Sequence, residues 1–308
     1  MNHMGRYLAM LILVLASSLV SAADNPSNVL VIADLSSDNH QDFIDTLQND
    51  DATGRTLKVI DVASFDDNFD ESTLADVRLM MPVGVNALRS VVDTYSSLPV
   101  WAALVPKRSY EALIVHSNDT RRYSAWFVDQ PLSRRFDLLK IALPAAGQVG
   151  VLIGESPDNV VQALKDAAAA RSFELIVRRV KDEQDAVAKT QKLGESVDVI
   201  LAVPDRVSLN LNNAKGILLS AYRQRLPIVG YTRASVSAGA LAAVYSMPGQ
   251  IARHMSEELK LLVPNKEFKP DRHYPKYFSV AVNTQVARSL GIQLPSQASL
   301  LTQLKEME

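Results

Sequence analysis

Cysteine is absent from all 308 residues. That excludes disulfides and thiol chemistry and removes the softest metal ligand, so the chain must rest on its apolar core. It also excludes a lipid-anchored cysteine behind an export signal. Basic runs are missing too. Lys and Arg total 32 against 34 Asp and Glu, a net charge of −2, so nothing in the charge pattern would neutralise a nucleic-acid backbone. The pairs Arg121-Arg122 and Arg134-Arg135 are expected to lie on solvated faces. Five histidines are present, one of them His3. His40, His116, His254 and His273 are scattered without metal-ligand spacing and read as surface or capping residues. No P-loop, no G-x-S-x-G elbow and no G-x-G-x-x-G after the first strand is present. No carboxylates pair at a spacing that selects acid/base work. Catalysis, metals and cofactors are therefore not expected, although catalytic groups can assemble from distant positions.

What is present is an ordinary globular balance, 47% apolar and 21% charged, with a length suited to one large or two medium domains. Residues 1–23 read as a signal peptide. Arg6 gives a weakly positive start, Tyr7–Ala16 is an apolar core, and Val20-Ser21-Ala22-Ala23 fits small-residue cleavage. The apolar core is too short for a comfortable membrane span. Cleavage after Ala22 or Ala23 would release a periplasmic protein that does not span the membrane; an uncleaved anchor is the alternative.

The rest alternates short β-branched runs with helical segments. Asn28–Ala33, Leu57–Val62, Val77–Pro82 and Leu98–Leu104 read as strands. His40–Gln48 and Ala87–Thr94 read as helices between them, Phe65–Glu71 as an acidic loop, and Ala112–Asn118 and Ser124–Val128 as extended. From Pro131, a favourable helix start, the pattern restarts. Leu132–Leu143, Val160–Arg171, Asp185–Leu193 and Asn213–Arg225 read as helices. Val149–Ile153, Phe173–Arg179, Val197–Val203 and Ile228–Tyr231 read as strands. Asn283 caps a helix that Gly291 ends. Strand–helix–strand order at this spacing predicts an α/β fold of two Rossmann-like lobes with parallel sheets.

The later residues carry a family resemblance. The stretch Asp129–Ile153, DQPLSRRFDLLKIALPAAGQVGVLI, resembles a segment of the ABC-transporter substrate-binding proteins that include tryptophan- and tyrosine-binding members. Leu226-Pro-Ile-Val-Gly230, Gly239–Tyr245 and Phe278–Asn283, with Leu290-Gly291 and Pro295, are similar to its later motifs. The match runs from about Ser124 to Pro295. The resemblance implies a type I periplasmic binding protein, its lobes joined by a hinge that closes on a small solute, with an inner-membrane ABC permease as partner. The lobes are expected at residues 28–127 plus about 247–276 and at 128–246 plus about 277–308. Two alternatives stay open. One is a sensory or adaptor protein on the same fold, read by a receptor or sensor kinase. The other is an exported α/β enzyme.

In open α/β sheets, ligands bind beyond the carboxyl ends of strands. That rule selects Ser36, with Asp34 and Ser37, after the first strand, where a helix-capping loop is the alternative, and Gly84 and Asn86 before a helix. It also selects Gly154, Ser156, Asp205, Tyr231, Thr232 and Ser235. Asp205 could hold the ammonium of an amino-acid-like solute, or else serve as a turn or capping residue. Trp101 and Trp126 could stack a ligand ring or pack in the core.

Overall fold

The computed structural model describes residues 28–50, 56–68, 74–92, 97–205, 207–210, 212–261 and 268–308. The expected signal peptide lies outside the described residues.

Strand β1 (Asn28–Ala33) shows why the apolar runs are continuous. Val29, Val31 and Ala33 enter one core, and Leu30 and Ile32 enter another. Successive side chains of a strand point to opposite faces, so a strand covered on both sides needs apolar residues throughout. Each such aliphatic side chain contributes about 1.5–3 kcal/mol on full burial. Parallel neighbours flank it, β2 (Leu57–Asp61) on one side and β3 (Val77–Pro82) on the other. With β4 (Val100–Val105), β5 (Tyr123–Phe127) and β11 (Arg272–His273), they form a parallel sheet of order β11-β5-β4-β3-β1-β2.

A second sheet follows the same plan. It contains β6 (Gln148–Ile153), β7 (Glu174–Arg179), β8 (Val199–Leu201), β9 (Ile228–Val229), β10 (Ala242–Tyr245) and β12 (Ser279–Val282), in the order β12-β10-β9-β8-β6-β7. Only the edge strand β12 pairs antiparallel, against β10. Val149, Val151 and Ile153 face one core while Leu152 faces the other.

Helices α1 (Asp38–Asp50), α2 (Val62–Asn68), α3 (Gly84–Val92) and α4 (Lys107–Ile114) connect strands of the first sheet. In the second half come α5 (Leu132–Ala142), α6 (Asp158–Ala169), α7 (Glu183–Leu193), α8 (Ala214–Arg223) and α9 (Arg233–Ala238). Helix α10 (Pro248–Leu261) returns to the first sheet, where Ile251, Met255 and Leu259 share a core with Phe43, Ile44 and Leu47. Then α11 (Thr284–Leu290) and α12 (Gln297–Glu306) follow, and Leu300 and Leu304 pack on the second sheet. Asn283 accepts from Val286 N at 3.0 Å and Gly291 ends α11 at φ 73°.

Several expectations are corrected. The acidic loop at Phe65–Glu71 begins as helix α2. The extended stretch at Ala112–Asn118 begins as the end of α4, whose Tyr110 and Ile114 bury one face. Trp101 and Trp126 are 5% and 2% exposed and pack against each other, ring centroids 4.6 Å apart and planes tilted by 40°, so they are core residues. Arg122, Arg134 and Arg135 are buried rather than solvated; of the four arginines only Arg121 is well exposed.

The chain passes between the sheets at Val128–Pro131, at Ser246–Met247 and between β11 and β12. One hydrogen-bond network ties these passages together. Gln130 Nε2 donates to Ser246 Oγ at 2.9 Å, and Ser246 Oγ donates to Tyr277 O at 2.6 Å. Arg134 donates to Gln130 Oε1 at 2.6 Å and to Pro275 O at 2.9 Å, and also pairs with Glu308. Its guanidinium lies 4.0 Å from the Phe278 ring centroid. A buried arginine needs its donors matched, and here the matching acceptors are the crossing segments themselves.

Candidate functional site

The strand ends of the two sheets line an open cavity of about 620 Å³. The first half supplies Ser37, Asn39 and His40 from the start of α1, with Leu104 from β4. The second half supplies Thr232, Arg233 and Ser237 from α9 and its cap, with Tyr245 from β10. Val128, Met247 and Ile251 complete the apolar wall near the crossings. Its volume falls in the range of small-molecule sites, about 300–1,000 Å³.

The loop after β1 is shaped by its own polar groups. Asp34 Oδ1 accepts from Ser36 N at 2.9 Å and Ser36 Oγ at 2.6 Å. These bonds hold the Asp34 carboxyl below its ordinary range. His40 Nδ1 accepts from Asp34 N at 3.2 Å, which leaves the proton of the neutral ring on Nε2. Burial lowers the pKa of His40, and Asp34 partly offsets this. Gly84, at φ +85°, gives the ring its place. A Cβ there would stand 2.9 Å from both His40 Cε1 and Nε2.

Helix α9 starts with a capping box. Thr232 Oγ1 accepts from Ser235 N at 3.0 Å, and Ser235 Oγ accepts from Thr232 N at 3.3 Å. Ser235 is held against Gly230, where a Cβ would meet Ser235 Oγ at 2.0 Å. Tyr231 donates its hydroxyl to Leu209 O at 3.0 Å, and burial raises its pKa.

Beneath the second sheet's strand ends lies Arg135. Burial pulls its pKa down to about 10, so it stays charged at neutral pH. It donates to Ala202 O and faces Asp129 and Tyr231. Asp129 accepts from Lys107 N at 2.6 Å, and burial pushes its carboxyl up. For both groups burial outweighs their mutual attraction, and among the described residues Arg135 Nε has no hydrogen-bond partner.

A second cavity, of about 590 Å³, is lined by Arg108, Gly154, Ser156, Lys181 and Asp205, among others. Here Arg108 of α4 reaches across to the other half. It meets Asp205 Oδ2 at 3.5 Å and donates to Glu155 O at 3.2 Å. Asp205 Oδ1 also accepts from Val207 N at 2.9 Å and Ser208 N at 3.1 Å. Its side chain is only 3% exposed.

The sites expected from sequence therefore separate. Thr232 lines the larger cavity; Gly154, Ser156 and Asp205 line the smaller one. Ser36, Gly84, Asn86, Tyr231 and Ser235 line neither, and all but Asn86 make the support contacts just described. Ser37, also selected from sequence, lines the larger cavity, whereas Asn39, His40, Arg233 and Ser237 were missed. Each of these four is a close neighbour of a selected residue, because the strand-end rule locates loops and not side chains. Among the described residues no cluster of metal-ligating side chains occurs, and no helix is long and apolar enough to cross a membrane.

No curated protein matches the chain. Solved structures do. One is the ABC domain in complex with L-Trp from Streptococcus pneumonia, at 16% identity and TM-score 0.58, covering 90% of this chain and 98% of that one. Another is a ligand-free, open substrate binding protein with adhesive properties from Clostridium difficile. It has 15% identity and TM-score 0.67, with 88% and 96% coverage. A conserved domain protein from Vibrio cholerae matches at 18% identity and TM-score 0.58, with 90% and 98% coverage. At these identities the likeness establishes the fold, the two-lobed type I periplasmic binding architecture. The family model described as ABC transporter substrate binding protein matches residues 128–305, more than half of the chain. On that match, the chain belongs to the ABC transporter substrate binding protein family.

Proposed function

We propose that this chain captures a small solute between its lobes and presents the closed form to an inner-membrane ABC permease. The observation that carries this is the cavity of about 620 Å³, walled by strand ends of both sheets at the crossing segments. Solute contacts available only when both walls close would shift the population toward the closed form. An adaptor that has lost its cleft would fill it with its own side chains, and the cavity weighs against that form, whereas a sensor read in its closed form shares the cavity. Against the enzyme alternative stands the family match, which is to substrate binding proteins.

We take residues 1–23 as a cleaved signal peptide and the mature chain as periplasmic. The lobes are proposed at residues 28–127 plus about 247–276 and at 128–246 plus about 277–308. In support, β11 joins the first sheet and β12 the second.

The test is a thermal-shift screen of the mature protein against amino acids, organic acids, sugars, peptides and nucleosides, paired with small-angle X-ray scattering. A solute at a hundred times its Kd stabilises the native state by about 2.7 kcal/mol. The expected result is a concentration-dependent rise in Tm with one class, together with a smaller radius of gyration. No shift and no compaction with any class would overturn the proposal and favour the adaptor role.

A further inference from the structure

The lining of the larger cavity carries no negative charge, and its neutral polar groups, Ser37, Asn39, Thr232, Ser237 and Tyr245 among them, can donate as well as accept. None of its lining residues is acidic, and Arg233 supplies a cation. His40 Nδ1 is already an acceptor for Asp34 N, so its neutral ring has an Nε2 proton to give. The Thr232 oxygen is already an acceptor for Ser235 N, which leaves its hydroxyl proton to give. Ser246 is used on both sides, accepting from Gln130 and donating to Tyr277 O. Leu104, Val128 and Met247 give the same cavity its apolar lining, with Ile251 in the core behind them.

An oxyanion is matched by such a set, because charge-assisted bonds from arginine and neutral donors are the strong ones. An ammonium is not matched. Neutral lining oxygens can accept from it, but no carboxylate offsets its charge, and enclosing it beside Arg233 is costly. Asp205, the carboxylate that the sequence suggests for an ammonium, lies in the other cavity. There it is held by Arg108 and by two backbone N–H groups.

We infer that the interlobe cavity takes small organic monocarboxylates with an apolar body and rejects their α-amino counterparts. Arg233 binds the carboxylate, His40 and Thr232 donate to it, and the apolar wall takes the body. This rests on the solute-capture proposal and names its solute class.

Titration calorimetry on the mature protein tests it with matched probes: 3-phenylpropanoate, L-phenylalanine and 2-phenylethylamine, then 4-methylpentanoate and L-leucine, and straight-chain carboxylates of four to ten carbons. At least one carboxylate is expected to bind about tenfold or more tighter than its amino-acid and amine counterparts. Arg233→Ala is expected to weaken that carboxylate by about tenfold or more, the range of a charge-assisted bond. Arg233 is exposed at the start of α9, so the variant should keep the wild-type Tm without ligand. Arg233→Asp should lower carboxylate affinity further and narrow the gap to the amine. An amino acid that binds as tightly as its carboxylate counterpart would overturn the inference. So would full carboxylate affinity in Arg233→Ala. If no carboxylate binds while a sugar, peptide or nucleoside does, this inference falls and solute capture stands. If nothing binds at all, both fall.

Discussion

Gly84, Gly154 and Gly230 each stand just past a strand end, and each makes room for one side chain. The neighbours a Cβ would strike are the His40 ring, Val207 with Asp205, and Ser235. The cavity-facing loops are thus seated on glycines that need not touch a solute. Gly84 is the most constrained, since it combines φ +85° with a contact of 2.9 Å. Gly84→Ala should cost about 1–3 kcal/mol in urea denaturation without ligand. In a His40→Ala background the steric part disappears and only the backbone strain remains, so the two substitutions should be non-additive. Full additivity would refute the packing role. His254 gives a second prediction at this scale. It is buried beside Trp126 and His273, accepts from Lys276 N at 3.4 Å, and has Glu257 and Lys276 nearby. Burial, then the neighbouring His273, lowers its pKa from 6.5 to about 4. The unfolded chain therefore takes up this proton first as pH falls. His254 should weaken the fold progressively between about pH 6.5 and 4 and leave it unaffected above that window. Substitution by Gln keeps a polar partner for Lys276 N–H and removes the titration. The difference in Tm between pH 7.5 and pH 5 should shrink in His254→Gln relative to wild type; an equal difference would assign the acid sensitivity to other groups.

Elements were legible where burial on both faces forces a continuous apolar run. Strands β1, β3 and β6 fall where such runs stand. What stayed hidden is tertiary in origin. Arg134 and Arg135 read as solvated because their partners lie far along the chain, at Pro275, Glu308 and Ala202. Asp205 read as a ligand group because its partner Arg108 is 97 residues away. The helix α4 was missed despite a local signal, Tyr110 and Ile114 at i,i+4 behind Pro106. Helix α2 is a seven-residue acidic segment with little periodicity to find. At the candidate site the loops were predictable and the side chains were not, since caps and turns decide which groups remain free to face the cavity. The crossing segments illustrate this at the scale of elements. Gln130 both donates to Ser246 and accepts from Arg134, so one side chain couples two passages and the start of α5. Gln130→Ala should lose about 1–3 kcal/mol, because it leaves buried donors and acceptors unmatched. Gln130→Glu keeps an acceptor for Arg134 but offers Ser246 no donor, and should fall between wild type and the alanine variant. Guanidinium chloride midpoints at constant slope would check that order.

At the scale of the whole molecule, the lobes are joined by covalent crossings on one side and, among the described residues, bridged on the other by the Arg108 side chain, which pairs with Asp205 and donates to Glu155 O. Arg108 belongs to α4 and Asp205 to the loop after β8, and their contact at 3.5 Å spans the two halves. The two partners do different work. Asp205 is enclosed and caps a turn through Val207 N and Ser208 N, whereas the Arg108 side chain is 57% exposed. An ion pair with one partner this exposed contributes about 0–1 kcal/mol. That is enough to move an open–closed equilibrium by up to about fivefold and too little to decide whether the chain folds. Arg108→Ala should therefore leave Tm nearly unchanged while the solute-free protein scatters with a larger radius of gyration. Solute affinity should drop by no more than about fivefold, because the bridge favours the closed form without touching the larger cavity. Raising salt should bring wild type toward the variant, since screening weakens the same pair. Asp205→Ala should behave differently, losing stability by about 1–2 kcal/mol through its unmatched turn N–H groups in addition to opening. Scattering curves of wild type and Arg108→Ala that superimpose at low salt would show that the bridge does not hold the lobes. Closure would then depend on the solute and the crossing segments alone.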